Sequence, residues 1–523
     1  MNSNYAVDPR YCGILLHPTS LPGPWGIGDL GDAAYRFVDF LAEAKVSLWQ
    51  ILPLGPTGYG NSPYAARSSF AGNEYLISPG LLIRDGWLEA PGAWQDGDRR
   101  ADTDSECPDM PVSVVNRIDY GKVEEEKLPL LHRAAEHCLG CLGNNPSLAA
   151  SFEAFCAEEA FWLDDYALFM VIYEHYRDSR WHTVWDKDLG ARKNEALDKT
   201  RRDHAKRIRQ WKMLQYFFFR QWNNLHDYAR SKGIKIIGDI PIFVAPDSVD
   251  AWANLELFKT KSGGSYSTVS GVPPDYFSAT GQLWGNPVYD WEKLKQTDYA
   301  WWKLRIKALL RQTDIFRIDH FRGFDTYWAI PAENTTAEHG VWEKGPGMDF
   351  FKSLHAQFGK LPIIAEDLGF LTESVIRLRD EAGFPGMKVC QFGFEDMKDG
   401  KLDSRHLFLP HNYPYRCAAY TGTHDNNTTV GWFNALGSAD RKKVCEYFNC
   451  EGRDIAWAMI RAVTASHAEY AVFPMQDILG LGGECRMNLP STCRSENWSW
   501  RLSVLPAGIA EKLAALITLY SRG

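Results

Sequence analysis

The chain has 523 residues, 45% hydrophobic and 24% charged, with a net charge of -9. This is the balance of a globular protein with room for one elaborated α/β domain or several ordinary ones, and its acidity excludes a general nucleic-acid footprint. No stretch approaches the roughly 18 consecutive apolar residues that a membrane helix needs, and MNSNYAVDPRYCGILLHP at the N-terminus lacks the basic-then-apolar order of a signal or transit peptide.

Eight short apolar runs end in polar, Gly or Pro residues. They are Cys12–Pro18, Leu48–Gly55, Lys235–Pro241, Asp314–His320, Pro362–Gly369, Met387–Phe394, Cys417–Asp425 and Tyr470–Asp477. Most are continuously apolar, as parallel strands covered on both faces must be. Helical spacing occupies Leu30–Lys45, Leu214–Arg230, Tyr299–Arg311, Glu373–Ala382, Asp454–Ser466 and Gly508–Tyr520. Strand and helix alternating in this way predict a (β/α)8 TIM barrel. The fallback is a doubly wound open sheet, but no G-x-G-x-x-G turn follows the first strand.

The spacing is uneven. About 180 residues separate the second and third strands, far beyond what one βα unit uses. We therefore expect a single catalytic barrel over 1–523 with no separate C-terminal β-domain, and insertions at 73–232 (mostly helical) and 245–300 (a substrate-covering loop region). Asn73–Asp85 reads as strand and turn, Trp87–Val114 as an irregular lobe, and Gly121–Arg177 and Lys193–Arg230 as helices. The basic run Lys199–Arg209 reads as a solvated helix face. Ser262–Pro287 is a Gly/Ser/Pro-rich loop whose Tyr266, Tyr276, Phe277 and Trp284 suit a lid over a site.

Eleven cysteines, several inside apolar runs (Cys12, Cys156, Cys390, Cys417), fit reduced thiols in a cytoplasmic protein. Cys138 and Cys141 form a lone C-x-x-C without a second pair, a weak metal or redox signal. The 20 Trp, 23 Tyr and 27 Phe cannot all be core. Many lie in loops beside Gly, Asn and Asp, as in PGPWGIG, GQLWGNPVYDW and ENWSWR. That mixture suits a ligand with apolar faces and a rim of hydroxyls, which is a sugar.

Barrel sites form at the C-terminal ends of strands. Those ends carry Asp239, Asp319, Glu366 and His424–Asp425. Clustering carboxylates costs free energy unless chemistry uses them. A Mg, Ca or Mn site is the competing use, with only His320 and His424 to join it and no EF-hand spacing. Glycoside cleavage needs one ionised carboxylate and one protonated acid. Asp319, two residues past Arg317, fits the first, and Glu366, after the apolar PIIA, fits the second. Residues two apart on a strand share a face, so Arg317 can reach Asp319. His320 falls on the opposite face and reads as structural or supporting.

The stretches GILLHPTSLPGPWGIGDLG, WQILPLGPTGYGNSPY, GDIPIFV, GVPPDYFSATGQLWGNPVY, RIDHFRG, AEDLG, PGMKVCQF, LPHNY, YTGTHDN, RMNLPST and NWSWR resemble the 4-α-glucanotransferases known as amylomaltase or disproportionating enzyme, of the glycoside hydrolase family 77 type. The resemblance covers nearly the whole chain. It implies retaining transfer of α-1,4-glucan segments, through a covalent glucosyl-enzyme, to the 4-hydroxyl of glucose or a maltooligosaccharide. It implies no cofactor, no metal, no nucleic-acid or membrane partner, and a monomer or homodimer. By it, Asp319 is the nucleophile, Glu366 the acid/base and Asp425 the third carboxylate. Arg317, His424 and Asp239 are supporting, and Ser62, Tyr64, Tyr59, Trp284 and Asn286 bind glucan. One departure stands out: Ser491-Thr492 follows RMNLP where Gly-Thr is expected, which puts the local turn in question. A non-catalytic glucan-binding barrel would be expected to lack a key carboxylate, and none is missing.

Overall fold

The structure is a computed structural model that describes residues 8–90, 115–274, 279–369 and 371–523. Its centre is an eight-stranded parallel sheet: β1 (Tyr11–Leu15), β2 (Leu48–Gln50), β3 (Lys235–Pro241), β4 (Ile315–Asp319), β5 (Ile363–Ala365), β6 (Gly386–Val389), β7 (Cys417–Tyr420) and β8 (Tyr470–Pro474). The spatial order is β5-β4-β3-β2-β1-β8-β7-β6. The two ends of that order meet: the Ala365 N–H donates to the Pro385 carbonyl at 2.9 Å, across the seam between β5 and β6. The (β/α)8 expectation holds, and each of the eight predicted runs overlaps a barrel strand.

The strands are buried along nearly their whole length, β4 as Ile315, Phe316, Arg317 and Ile318. That burial explains why they read as apolar runs instead of alternating ones. Helices Asp32–Glu43, Ala205–Ser231, Ala300–Gln312, Gly347–Phe358, Glu373–Ala382 and Ile455–Ala465 cover the sheet. The last helix, Ile509–Leu519, packs back on Asp32–Glu43.

Between β2 and β3 the described residues form helices Tyr120–Cys141, Pro146–Glu158, Ala160–Tyr176, Asn194–Asp203 and Ala205–Ser231. The predicted strand and turn at Asn73–Asp85 is instead a 3-10 turn, Glu74–Leu76, and a helix, Pro79–Arg84. The Asn73 side chain accepts from the Tyr75 N–H, and Pro79 opens the helix, so local capping overrides the apolar run. Nearly all of Trp87–Val114 lies outside the described residues.

Ser262–Pro287 is not a structureless loop. Thr268–Val272 and Gln282–Pro287 pair as a hairpin within a four-stranded antiparallel sheet completed by Thr326–Pro331 and Val341–Lys344. The pairing of Gly271 with Trp328 is long-range, which no local pattern reveals. Tyr276 and Phe277 lie outside the described residues.

Candidate active site

Register sets the first cluster. Asp239 on β3 pairs with Arg317 on β4, and Ile318 pairs with Ala365, so Asp319 and Glu366 follow at adjacent strand ends, about 4.8 Å apart along the sheet. Arg317 Nη2 sits 2.7 Å from Asp239 Oδ2 and 2.8 Å from Asp319 Oδ1. Its Nε donates to Asp239 Oδ2 at 2.9 Å. The Tyr64 hydroxyl donates to Asp239 Oδ2 at 2.6 Å and accepts from Arg317 Nη2 at 3.0 Å. Burial pushes the Asp239 carboxyl up, and Arg317 offsets part of that rise. Burial opposes the Arg317 charge as well, but Asp239 and Asp319 more than restore it. Asp319, a third exposed, faces the cleft.

Glu366 follows β5. Its backbone N–H donates to the Ile318 carbonyl at 3.0 Å. Both carboxyl oxygens accept backbone N–H groups: Oε2 from His320 at 2.8 Å and Oε1 from Leu368 at 2.9 Å. Burial first, then the neighbouring Asp319 charge, push its pKa up to about 8, against the pull of Arg317 and the two N–H donors. His320 departs from expectation. β4 ends at Asp319, and His320 is left-handed (φ 53°, ψ 51°), so strand alternation no longer applies. Its N–H serves Glu366, and its ring lies edge-on to Trp284, centroids 4.7 Å apart.

The third group is the loop after β7. Asp425 Oδ1 accepts from Asn488 Nδ2 at 2.7 Å, and Oδ2 lies 3.4 Å from His424 Nε2. The Arg486 guanidinium donates to the carbonyls of Asp425 and Asn488. Buried Asp477 ties the two ends of this loop, its carboxylate accepting from the hydroxyls of Thr421 (2.6 Å) and Thr429 (2.7 Å) and from the Thr429 N–H (2.7 Å). The His424 ring stacks on Tyr64 with centroids 5.1 Å apart and planes 15° apart. Tyr64 thereby joins the Arg317 cluster to the His424–Asp425 pair. Behind His424, burial first and then His424 itself push the His17 pKa down to about 3.

The fold therefore assembles Tyr64, Asp239, Arg317, Asp319, Glu366, His424 and Asp425, with Trp284 joined through His320. Ser62 Oγ accepts from the Tyr64 N–H and fixes that turn. Asn286 spends its amide on the Val244 carbonyl (2.9 Å), anchoring the hairpin. Tyr59 is 76% exposed on an outer lip, where its hydroxyl meets Cys493. Asn488, Arg486 and Asp477 had no assigned role in the sequence; for the first two, the only signal was the RMNLPST stretch. Among the described residues no group of three or more His, Cys, Asp or Glu side chains is placed to hold a metal ion. The four rim carboxylates are held by Arg317, backbone N–H groups and an amide.

A sequence model of a family described as 4-alpha-glucanotransferase matches residues 16–506. A 4-alpha-glucanotransferase of a Synechocystis strain is 47% identical, over 99% of both chains. The chloroplastic/amyloplastic 4-alpha-glucanotransferase of Solanum tuberosum is 41% identical over 98% of this chain and 87% of its own. The solved amylomaltase from Streptococcus agalactiae in complex with acarbose superposes with a TM-score of 0.89, at 38% identity, covering 98% of this chain and 100% of that one.

Proposed function

Since this chain belongs to the 4-alpha-glucanotransferase family, we propose that its site works by retaining transfer, with Asp319 as nucleophile, Glu366 as acid/base and Asp425 as third carboxylate. One observation carries this reading. Two carboxyls at adjacent strand ends have opposite surroundings: Asp319 is ion-paired with Arg317, and Glu366 is half-buried with its proton held to about 8. Neighbouring acids in such unlike surroundings are how a site divides the roles of nucleophile and acid.

In the first step an Asp319 oxygen bonds to the anomeric carbon as the glycosidic C–O bond breaks. The bonding electrons leave with the oxygen, which takes the Glu366 proton. Esterification removes the Asp319 charge, so one cause of the raised Glu366 pKa disappears. Glu366 therefore stays ionised and takes the proton of the 4-hydroxyl of an acceptor glucan, whose oxygen bonds to the anomeric carbon and displaces Asp319. Asp425, fixed by Asn488 and His424, would grip sugar hydroxyls and favour the distorted ring of the transition state.

Ser62, Tyr64, Tyr59, Trp284 and Asn286 are proposed to bind glucan, Asn286 through the hairpin it anchors. Regions 73–232 and 245–300 act as insertions in one catalytic barrel, the second covering substrate so that acceptor outcompetes water. The acarbose bound by the Streptococcus agalactiae enzyme supports an α-glucan cleft here. No helix among the described residues is long and apolar enough to cross a membrane, and we place the protein in the cytoplasm as a monomer or homodimer.

Maltotriose is the test. The expected products are glucose and a ladder of longer maltooligosaccharides, and purely shortening products would overturn the transfer reading. Asp319→Asn and Glu366→Gln should each lose several orders of magnitude in rate; near-normal turnover in either would remove that residue from its role.

A further inference from the structure

Strand alternation would turn residue 320 away from the cleft. The backbone prevents this by entering the left-handed region at a non-glycine residue, which costs roughly 1–2 kcal/mol for an L-residue. Two contacts follow from that turn. The His320 N–H reaches Glu366 Oε2 at 2.8 Å. The imidazole folds against Gly323, where a Cβ would lie 3.2 Å from its Cδ2, and meets the Trp284 ring edge-on at 4.7 Å and 87°. Trp284 belongs to the hairpin strand Gln282–Pro287.

We propose that His320 is a positioning residue that couples the covering hairpin to Glu366: its backbone aims one of the two N–H groups on the carboxyl while its ring seats Trp284. This rests on the acid/base role given to Glu366. A donor to a carboxylate favours the anion, so the geometry of this one bond helps set when Glu366 holds a proton. Glucan pressing on Trp284 bears on the His320 ring, and the ring and the N–H share one residue. Acceptor binding and readiness of the base are thereby linked, which favours transfer over hydrolysis. The other groups acting on Glu366 are Asp319 and Arg317 on β4 and the Leu368 N–H. The His320 ring, pushed down to about 4 chiefly by burial, stays neutral across the working range.

The experiment compares wild type, His320→Gly, His320→Asn and His320→Val on maltotriose from pH 6 to 10, scoring transfer products against released reducing ends. Glycine keeps the left-handed turn and loses the ring. The alkaline limb should stay in place while the ratio of transfer to hydrolysis falls about tenfold. A β-branched valine resists φ > 0, and loss of the N–H donor raises the Glu366 pKa. The limb should move up by about one pH unit and kcat should fall about tenfold or more. Asparagine tolerates the left-handed region and should restore the limb. If the valine variant does not fold by circular dichroism, His320→Ala takes its place with the same expectation at smaller amplitude. An unmoved limb in the folded valine or alanine variant, or an unchanged ratio in the glycine variant, overturns the proposal. Glu366→Gln separates the two failures: if it retains turnover, the acid/base role itself falls, whereas an inactive Glu366→Gln beside an unmoved limb sinks only the coupling.

Discussion

Arg317 Nη2 lies 2.7 Å from Asp239 Oδ2, a carboxylate with no exposed side-chain surface. Asp239 is thus a counter-charge inside the barrel, not a substrate group. It holds the guanidinium so that the same Nη2 can also face Asp319.

Asp239→Asn should therefore damage both stability and rate. Removing one partner of a buried pair leaves the Arg317 charge with Asp319 alone, at a cost of about 3 kcal/mol. The carboxamide can still accept from Arg317 and retains part of the geometry. Urea unfolding should show the loss, and kcat on maltotriose should fall about a hundredfold as Arg317 loosens from Asp319. Wild-type kinetics in this variant would show that Asp319 does not depend on the Arg317–Asp239 pair.

Glu366 makes a pH prediction with two signs. Catalysis needs its proton for the first step, so kcat/KM should decline as pH rises through about 8. The same raised pKa is a stability statement. A carboxyl whose folded pKa exceeds its unfolded value contributes stability present below the unfolded pKa, and loses it as pH rises through about 8. Glu366→Gln cannot ionise. It also turns an NH2 group toward one of the two backbone donors, a penalty independent of pH. Its melting temperature relative to wild type should therefore improve between about pH 5 and pH 8 and level off above that, whatever the offset. A difference that stays flat across that range contradicts a raised pKa.

The catalytic rim was legible because a buried parallel strand must be apolar until it leaves the core, so IFRID announces its own end at Asp319. The same logic located Asp239 and Glu366. It failed at His320, where period-two alternation was extended one residue past the strand into a left-handed turn. It failed again at Thr268–Val272, because Gly, Ser and Pro dominate that segment and its partner Thr326–Pro331 is far along the chain. Asn488 went unassigned for another reason. Its amide meets Asp425 across 63 positions of sequence, and nothing in the composition near either residue points to the other.

Ser491 answers the one departure from the family pattern. It keeps the left-handed backbone (φ 60°) that the expected glycine adopts without strain. Thr492 Oγ1 donates to the Leu489 carbonyl and the Asn497 amide to the Thr492 carbonyl, so side chains hold the turn. Ser491→Gly should raise stability by about 0.5–1 kcal/mol, the relieved strain exceeding the added freedom of the unfolded chain. Turnover on maltotriose should stay within about twofold. A destabilised Ser491→Gly, read by thermal melting, would mean the serine contributes more than its backbone.

Asp314 tests the barrel at the opposite end of β4 from Asp319. Its Oδ2 accepts from the Ile236 N–H at 2.8 Å and meets His226 Nε2 at 2.8 Å, while Arg230 holds Oδ1 at 2.9 Å. Helix Ala205–Ser231 is thereby fastened to β3 and β4. Burial alone would raise this carboxyl, but His226, the Ile236 N–H and Arg230 overcome it and bring the pKa down to about 2. A depressed pKa contributes stability that is present above the unfolded value near 3.8 and is lost as pH falls through about 2. Asp314→Asn should thus cost roughly 2 kcal/mol at pH 7, with the gap to wild type closing as the pH is lowered from about 4 toward 2. Because Asp314 lies at the far end of the strand, kcat at 25 °C should be unchanged. A gap that persists undiminished at pH 2 would show that shape, not charge, does the fastening.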